Sequence, residues 1–529
     1  MHQSQTSGAH APRRMASLAA IAVLVTTVSP ASAASSTGRG PSTTTDPYVL
    51  TVADGVHITS LLTVNDTGAA GNGYEMVGIP DGIGVTTEGT NMVAFMNHEL
   101  RDTQGITRRH GQRGAFVSRL EIDPGTLAVT EGSDLVDPGV TFYDYPSGTY
   151  VTSGARFADN ALQDLTFGRW CSSTLSDQGL FWSDSKTVGY TGQLYFGNEE
   201  DGDVGRAFGV TTDGKAQALP RLGLFQWENT IPASNKSATT LVMGQEDGIA
   251  GNFSQLWVYV GQKQNTGNEF DRAGLTNGLD FVIDAVDETV STDTEWRAKF
   301  GTGVAARVDL AEIPWDQSGA AQNGQALAHG LSLNRIEDGY WDPNRPNDFY
   351  FLTTEGGDQT TTFPYTRDGG GLWLLSLKNI EKPEKGATLT LLLDGSEEIG
   401  AGEPKMNKPD NMGMDRYGNL LIQEDPGGNA QLARIIAYRV ADGAIGVVAR
   451  FDPSRFSTGG SQFMTLDEES SGIIDTEDQL GTGTFLFDAQ VHTPNGLLPA
   501  PGAGTVEEYV ENGQLLVLRI TDWASIYTD

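Results

Sequence analysis

A short apolar run that ends in glutamate and a glycine turn recurs along this chain, and it restricts the fold more than any other feature. "LYF" (Leu194 to Phe196) leads into "GNEEDG" (Gly197 to Gly202), and "TLVM" leads into "GQEDG" (Gly244 to Gly248). "FYFL" leads into "TTEGG" (Thr353 to Gly357), and Leu420-Leu421 leads into "IQEDPGG" (Ile422 to Gly428). "NMVAFMNHE" adds a fifth case, and "FSQLWVYVG", "GLWLLSL" and "NGQLLVLRI" have the same short, β-favouring character between Gly, Asn, Asp or Pro. No long amphipathic helix is visible; Thr294 to Ile313 is the best candidate for a short one. Asp415 to Leu420, "DRYGNL", reads as a tight hairpin turn feeding a strand. Many short strands without helices point to a sandwich, barrel or propeller.

Spacing favours the propeller. The marker glutamates Glu99, Glu200, Glu246, Glu355 and Glu424 are 101, 46, 109 and 69 residues apart. Blades run roughly 40 to 50 residues, so the first three intervals resemble two, one and two blades, and the last needs an insertion. The expected fold is all-β: one β-propeller of about six blades with loop insertions, over residues 48–529. A propeller brings strand ends from distant blades to one channel mouth, which would gather these glutamates.

The chain begins with an expected export signal. Arg13-Arg14 precede the apolar run Leu18 to Val28, and Pro30 and Ala31-Ser32-Ala33 follow. That order predicts a signal over 1–33, cut after about Ala33; the paired arginines point to the twin-arginine route, while "RRMASLA" lacks much of that pattern and reads also as an ordinary secretory signal. The polar stretch 34–47 is expected to be a disordered leader, and the mature protein to be periplasmic or extracellular, soluble and monomeric. The formal charge is −34, from 68 acids and 34 bases. Such a surface repels nucleic acid and anionic membrane, and it would repel a phosphorylated substrate unless bound cations inverted the local field. The single cysteine, Cys171, excludes an intramolecular disulfide and a paired-cysteine zinc site.

Gathered carboxylates need an explanation. Each alone reads as turn chemistry, a solvated acid at a strand end. Together they repel and raise one another's pKa unless cations offset them. Oxygen-rich sets suit calcium, or harder transition ions such as ferric iron, rather than zinc. Glu199, Glu200, Asp201 and Asp203 offer four carboxylates in five residues, without EF-hand spacing. Glu228 has apolar residues on both sides, so burial is expected there; Glu337-Asp338 follow Arg335 in "NRIEDGYWDP", Asp410 is expected in a loop entering the Gly-Asn hairpin, and each reads equally as a surface or capping acid or as a ligand. His98, beside Glu99, reads either as a nitrogen ligand or general acid or as a hydrogen-bonded histidine at a strand end. Asp488 and His492 form a possible pair without the Gly-x-Ser-x-Gly elbow of a hydrolase. Cys171 reads either as a buried small hydrophobe or as a thiolate ligand.

These segments together resemble a known family. "VAFMNHEL", "FGRWCSS", "YFGNEEDGDVGRAFG", "LPRLGLFQWENT", "VYVGQKQNTGNEFDRAGLTNG", "NRIEDGYWDP" and "DNMGMDRYGNLLIQED" look like the PhoX-type alkaline phosphatases and their exported relatives. The resemblance implies a propeller whose channel mouth holds an iron–calcium cluster, with acidic ligands and a cysteine on iron. It also implies phosphate-monoester hydrolysis and twin-arginine export. It puts metal ligands at Glu199, Glu200, Glu228, Glu337, Asp338 and Asp410. The family's cysteine position, directly before the glutamate pair, falls on Asn198, so Cys171 would have to reach the cluster from elsewhere. Arg206 and Arg335 are the residues expected to grip phosphate oxygens, with His98 as a further catalytic candidate. Two alternatives stay open: a calcium-stabilised propeller that binds without turnover, and a phytase-like or lactone-cleaving propeller hydrolase.

Overall fold

Strands in this chain are apolar on both faces. Leu194 and Phe196 pack into one apolar cluster while Tyr195, between them, packs into another. That alternation is what a strand needs when its sheet is sandwiched between two others. The structure, a computed structural model, describes residues 34–152, 166–248, 254–355, 370–400, 403–427, 431–493 and 505–527.

Six antiparallel blades follow from this patterning. Blade I holds Pro80–Glu88, Asn91–His98, Phe116–Ile122 and Val129–Asp134. Blade II holds Trp170–Leu175, Leu194–Glu199, Ala207–Thr211 and Ala216–Ala218. Blade III holds Trp227–Pro232, Thr239–Glu246, Leu256–Gln262 and Leu279–Ala285, and blade IV holds Ile336–Trp341, Asp348–Thr353, Gly371–Leu377 and Ala387–Asp394. Blade V holds Pro409–Met414, Asn419–Glu424, Arg434–Arg439 and Ile445–Phe451. Blade VI is Glu468–Asp475, Thr484–Val491 and Asn512–Ile520, completed by Val56–Thr63 from the start of the chain. That last pairing closes the ring between the two ends of the sequence. The first strand of every blade touches the first strands of both neighbours, so six inner strands surround one channel.

The core sits between blades rather than within one centre. Among the described residues there are six buried apolar clusters, one for each pair of neighbouring blades. Trp373 and Phe351 of blade IV, for example, share a cluster with Met243 and Val258 of blade III. Burial on this scale, at ~25 cal/mol per Å² of apolar surface, fixes each blade by its neighbours.

Several expectations change here. The marker glutamates fall on blades I to V in order, one each, so the long intervals are insertions and not extra blades. The 109-residue interval between Glu246 and Glu355 holds Ala306–Ile313, a strand that bridges blades III and IV, and the helix Gly319–His329. The expected helix over Thr294 to Ile313 is real only as Asp293–Phe300. Gly301 and Gly303 at φ 65° and 75° end it, and strand Ala306–Ile313 follows. The polar leader is not disordered throughout: Ser36–Arg39 pairs in parallel with His57 to Ser60, and Thr43 and Thr44 hydroxyls donate to Asp66. An open sheet edge supplied backbone partners that composition does not reveal. The expected signal over 1–33 lies outside the described residues. No described helix is long and apolar enough to cross a membrane.

Candidate metal centre

Strand register places the chemistry. At the start of each inner strand of blades I to V the pairing with the second strand slips. Pro80 pairs with His98 but Ile83 with Met96, Trp170 with Glu199 but Ser173 with Gly197, and Trp227 with Glu246 but Thr230 with Gly244. Ile336 and Gly339, and Pro409 and Met412, repeat the slip. Bulges of this kind re-aim side chains, and the residue that follows the first pair is Asp81, Cys171, Glu228, Glu337 or Asp410. Blade VI carries Glu469 at the same second position of its inner strand. Six equivalent positions, one per blade, thus hold five carboxylates and the only thiol.

Two tight groups result. Single ligand atoms of Asp81, Glu99 and Cys171 lie within 4.8 Å of one another, and so do those of Glu228, Glu337 and Asp410. Cys171 Sγ is 3.4 Å from Asp81 Oδ2. Gly82 makes that approach possible, because a Cβ there would fall 2.0 Å from the backbone nitrogen of Ser173.

A second layer comes from the ends of the second strands. Each acidic doublet there divides its labour by alternation. The first member is locked into its own blade. Glu199 accepts from Arg206 Nε (2.5 Å) and Nη2 (2.7 Å), Glu424 accepts from Arg434 Nε (2.8 Å) and Nη2 (2.7 Å), and Glu246 accepts from Trp257 Nε1 (2.9 Å). The following residue faces the mouth: Glu200 and Asp247, with Glu99 at the matching place in blade I. Arg169 binds Glu99 (2.6 Å) and Glu200 (2.5 Å), and Arg335 grips Asp247 through Nε (2.7 Å) and Nη2 (2.8 Å) while lying 3.2 Å from Glu337.

Those arginines are placed by backbone strain. Ile79, Arg169, Arg335 and Lys408 each stand two residues before an inner-strand acid or thiol, and each adopts positive φ, at 50°, 39°, 54° and 52°. Non-glycine residues seldom adopt this region, and it concentrates at functional sites. A mouth cavity of about 300 Å³ is lined by Arg169, Glu99, Glu469, His492, Glu511 and Asp425.

The electrostatics are those of an anionic site in need of positive charge. Burial, then Asp410, Glu337 and Asp81, push the Glu228 carboxyl far above the usual range, and its Oε1 has no hydrogen-bond partner among the described residues. Burial and Glu469, Glu99, Asp488 and Asp410 do the same to Asp81. The Cys171 thiol is driven up by burial and by Asp81, Glu228, Glu99 and Glu200. Glu200 rises to about 8, because burial and Glu99 outweigh Arg169. Without cations these groups cannot all ionise together.

Not every expected residue is in this centre. Glu228, Glu337 and Asp410 form one group and Cys171 belongs to the other, while Arg335 lies against Glu337 and Glu200 is tied to Glu99 through Arg169. Glu199 and Arg206 neutralise each other inside blade II, with the guanidinium over Phe142 and Phe208. His98 points into its own blade, stacked on Phe116 at 4.3 Å, with Nε2 2.7 Å from Ser118 Oγ and Nδ1 3.1 Å from Gly78 O. Burial takes its pKa down to about 3, so it is a neutral structural imidazole. Asp338 accepts from Asn229 Nδ2 at 2.8 Å and belongs to neither acidic group. His492 pairs with Glu511 at 2.7 Å and approaches Glu469 at 3.7 Å. Sequence reasoning missed Asp81, Glu469, Asp247 and Arg169. One usable signal was present: Arg169-x-Cys171 and Arg335-x-Glu337 share a spacing, as do Pro80-Asp81-Gly82 and Pro409-Asp410-Asn411.

Comparison with known proteins adds to this geometry. The family model described as alkaline phosphatase PhoX matches residues 182–472. No curated protein matches the chain. Among solved structures, PhoX of Pseudomonas fluorescens in complex with vanadate, a transition state analogue, superposes with a TM-score of 0.61 at 13% identity, over 90% of this chain and 97% of that one. An α-L-arabinofuranosidase of Fusarium graminearum (TM-score 0.39, 8% identity, 90% of this chain and 99% of that one) is much looser. So is a gluconolactonase of Xanthomonas campestris (TM-score 0.30, 10% identity, 84% and 87%).

Proposed function

The chain belongs to the alkaline phosphatase PhoX family, and from that premise we propose that it is an exported phosphomonoester hydrolase working with cations held at the channel mouth. One observation carries the reading: the six equivalent inner-strand positions bear Asp81, Cys171, Glu228, Glu337, Asp410 and Glu469. Six unrelated strands have no packing reason to bury an acid or thiol at one shared register. Burying such groups unpaired is costly, and the partnerless Glu228 Oε1 is the kind of atom a cation would satisfy.

The donor chemistry suits two ions. Glu228, Glu337 and Asp410 form an all-oxygen set fit for calcium. Asp81, Glu99 and Cys171 combine carboxylates with a thiolate, which fits iron. A cation in either group supplies Lewis acidity, offsetting phosphoryl charge and acidifying water. The chain's own residues do the rest. Arg169, about one-third exposed at the mouth, and Arg335, held rigid by Asp247, present N–H groups to phosphate oxygens. Glu200, fastened by Arg169 and by Gln226 Nε2 at 2.8 Å, keeps Arg169 aimed. The substrate is a small phosphorylated molecule.

The deciding experiment is metal analysis of protein purified without added metal, alongside turnover of p-nitrophenyl phosphate. Calcium and iron should copurify, and the protein should be coloured by thiolate-to-iron charge transfer. Cys171→Ser should remove both colour and turnover while the fold survives. A colourless, inactive protein that calcium still stabilises would instead return the reading of a binding module. Export is tested by Arg13→Lys with Arg14→Lys, which should hold the protein inside the cell if the twin-arginine route is used.

A further inference from the structure

The inner strands continue past the acids to the opposite end of the channel, where they frame a second cavity of about 500 Å³. Asn229 and Asp338 directly follow the acids Glu228 and Glu337 and already line it, so at ~3.3 Å per strand residue this chamber begins roughly 3 to 7 Å below the acidic layer. Amides and hydroxyls make the layer between them: Asn229 donates to Asp338 at 2.8 Å and to Ser172 Oγ at 3.2 Å, and Gln423 donates to Ser470 Oγ at 2.6 Å. All the residues lining the chamber are among the described ones.

Its walls and its rim differ sharply. Ile83, Leu175, Ile231, Met412, Met414 and Ile473 make apolar walls, and Tyr340 and Trp341 add aromatic faces. The rim carries Asp177, Asp342, Asp475, Glu477 and Asp478 against a single lining base, Arg416, which is spent on Glu477 (3.1 Å) and Asp478 (2.5 Å). Asp342 is held by Arg345 at 2.8 Å. Asp177 feels the charge of Lys236, whereas Asp475 has no ion-pair partner among the described residues. Apolar walls, an aromatic face and an unpaired carboxylate at the rim together describe a ligand with a greasy body and one positive end.

We propose that this chamber is a second binding site, for a small organic cation whose ammonium meets Asp475 while its apolar body packs between Tyr340, Met412 and Ile231. The volume falls within the ordinary range for small-molecule sites, ~300 to 1,000 Å³. Burial holds the Asp475 carboxyl up at about 6, as expected of an acid short of a counter-charge. The acidic mouth suits the same ligand poorly, because Arg169 already occupies Glu99 there and Ile79 alone supplies apolar lining. The site stands whether or not the mouth hydrolyses phosphate esters.

Calorimetric titration of the full metal-loaded chain with 4-phenylbutylamine tests the proposal, with 4-phenylbutan-1-ol as the neutral control. The amine should saturate one site per chain, and the alcohol should bind about tenfold or more weaker, since it lacks the charge. Saturating inorganic phosphate should leave the amine isotherm unchanged. Asp475→Asn keeps the acceptor that the Glu477 backbone N–H uses at 2.8 Å, so the variant should fold. It should weaken the amine about tenfold, leave the alcohol unaffected and leave p-nitrophenyl phosphate turnover at the wild-type rate. No saturable amine binding, equal affinity for the alcohol, displacement by phosphate, or a folded variant with unchanged amine affinity would each overturn the assignment.

Discussion

Glu228→Gln should change sign with the metal state of the protein. Glu228 is 1% exposed, its nearest charges are Asp410, Glu337, Asp81 and Glu200, and burial with those carboxylates raises its pKa far above 4.5. In the cation-free fold its neutral form is favoured. The stability it permits is complete below pH ~4.5 and is lost as pH rises toward the raised value, at ~1.4 kcal/mol per pH unit for each proton involved. Glutamine is neutral at every pH, so the cation-free variant should gain on the wild type by about that slope from pH 5 upward. A chain of 529 residues unfolds with an entropy of ~1 kcal/mol/K at ~2.1 cal/mol/K per residue. Each pH unit should then separate the two melting temperatures by ~1.4 °C. In the loaded protein the order should invert. An amide oxygen is a weaker ligand than a carboxylate, and a hundredfold loss of cation affinity removes ~2.7 kcal/mol of linkage stabilisation. Scanning calorimetry from pH 5 to 7, in chelator and in excess calcium, reads both arms. Parallel cation-free curves, or a variant that remains the more stable one in calcium, would refute the view that Glu228 is a buried acid awaiting an ion.

Other expectations follow from the same geometry. Chelator should lower the wild-type melting temperature by several degrees and calcium should restore it, because binding to the folded state alone stabilises by mass action; an unchanged curve after long incubation counts against any bound ion. Glu199→Ala strands the buried Arg206 guanidinium and should cost ~3–5 kcal/mol in urea denaturation, whereas Glu200→Gln should spare stability and lower kcat/KM. His98, with a folded pKa of about 3 against 6.5, contributes stability that is present above pH ~6.5 and lost as pH falls through the gap. His98→Gln should therefore flatten the acid limb of the stability curve, and leave the pH profile of turnover unmoved.

Some of this was legible in the sequence because it is periodic, and the rest was not because it is relational. Alternating apolar strands with glycine-bounded turns announce an all-β fold, and that pattern needs no partner to be read. Blade boundaries were harder: Ala306–Ile313, Thr141–Asp144 and Thr149–Thr152 are strands like any other, and only their pairing marks them as insertions. The acidic doublets drew attention to strand ends, and the structure separates their two members. Glu199 and Glu200 are neighbours in composition and opposites in role, because strand alternation sends one side chain to Arg206 and the next to the mouth. Cys171 makes the same point from the other direction. Its strand pairs with the one carrying Asn198 and Glu199, with Trp170 opposite Glu199, so a thiol 27 residues from Asn198 in sequence sits one strand away. Asp81 was passed over since it looks like a lone turn acid, and Glu469 since it ends the acidic run Asp467-Glu468-Glu469, which looks like a solvated turn; their meaning lies in the shared register of six inner strands. A bulge repeated in blades I to V turns that register into a single ring of ligands, which is a property of the closed propeller and of no blade within it.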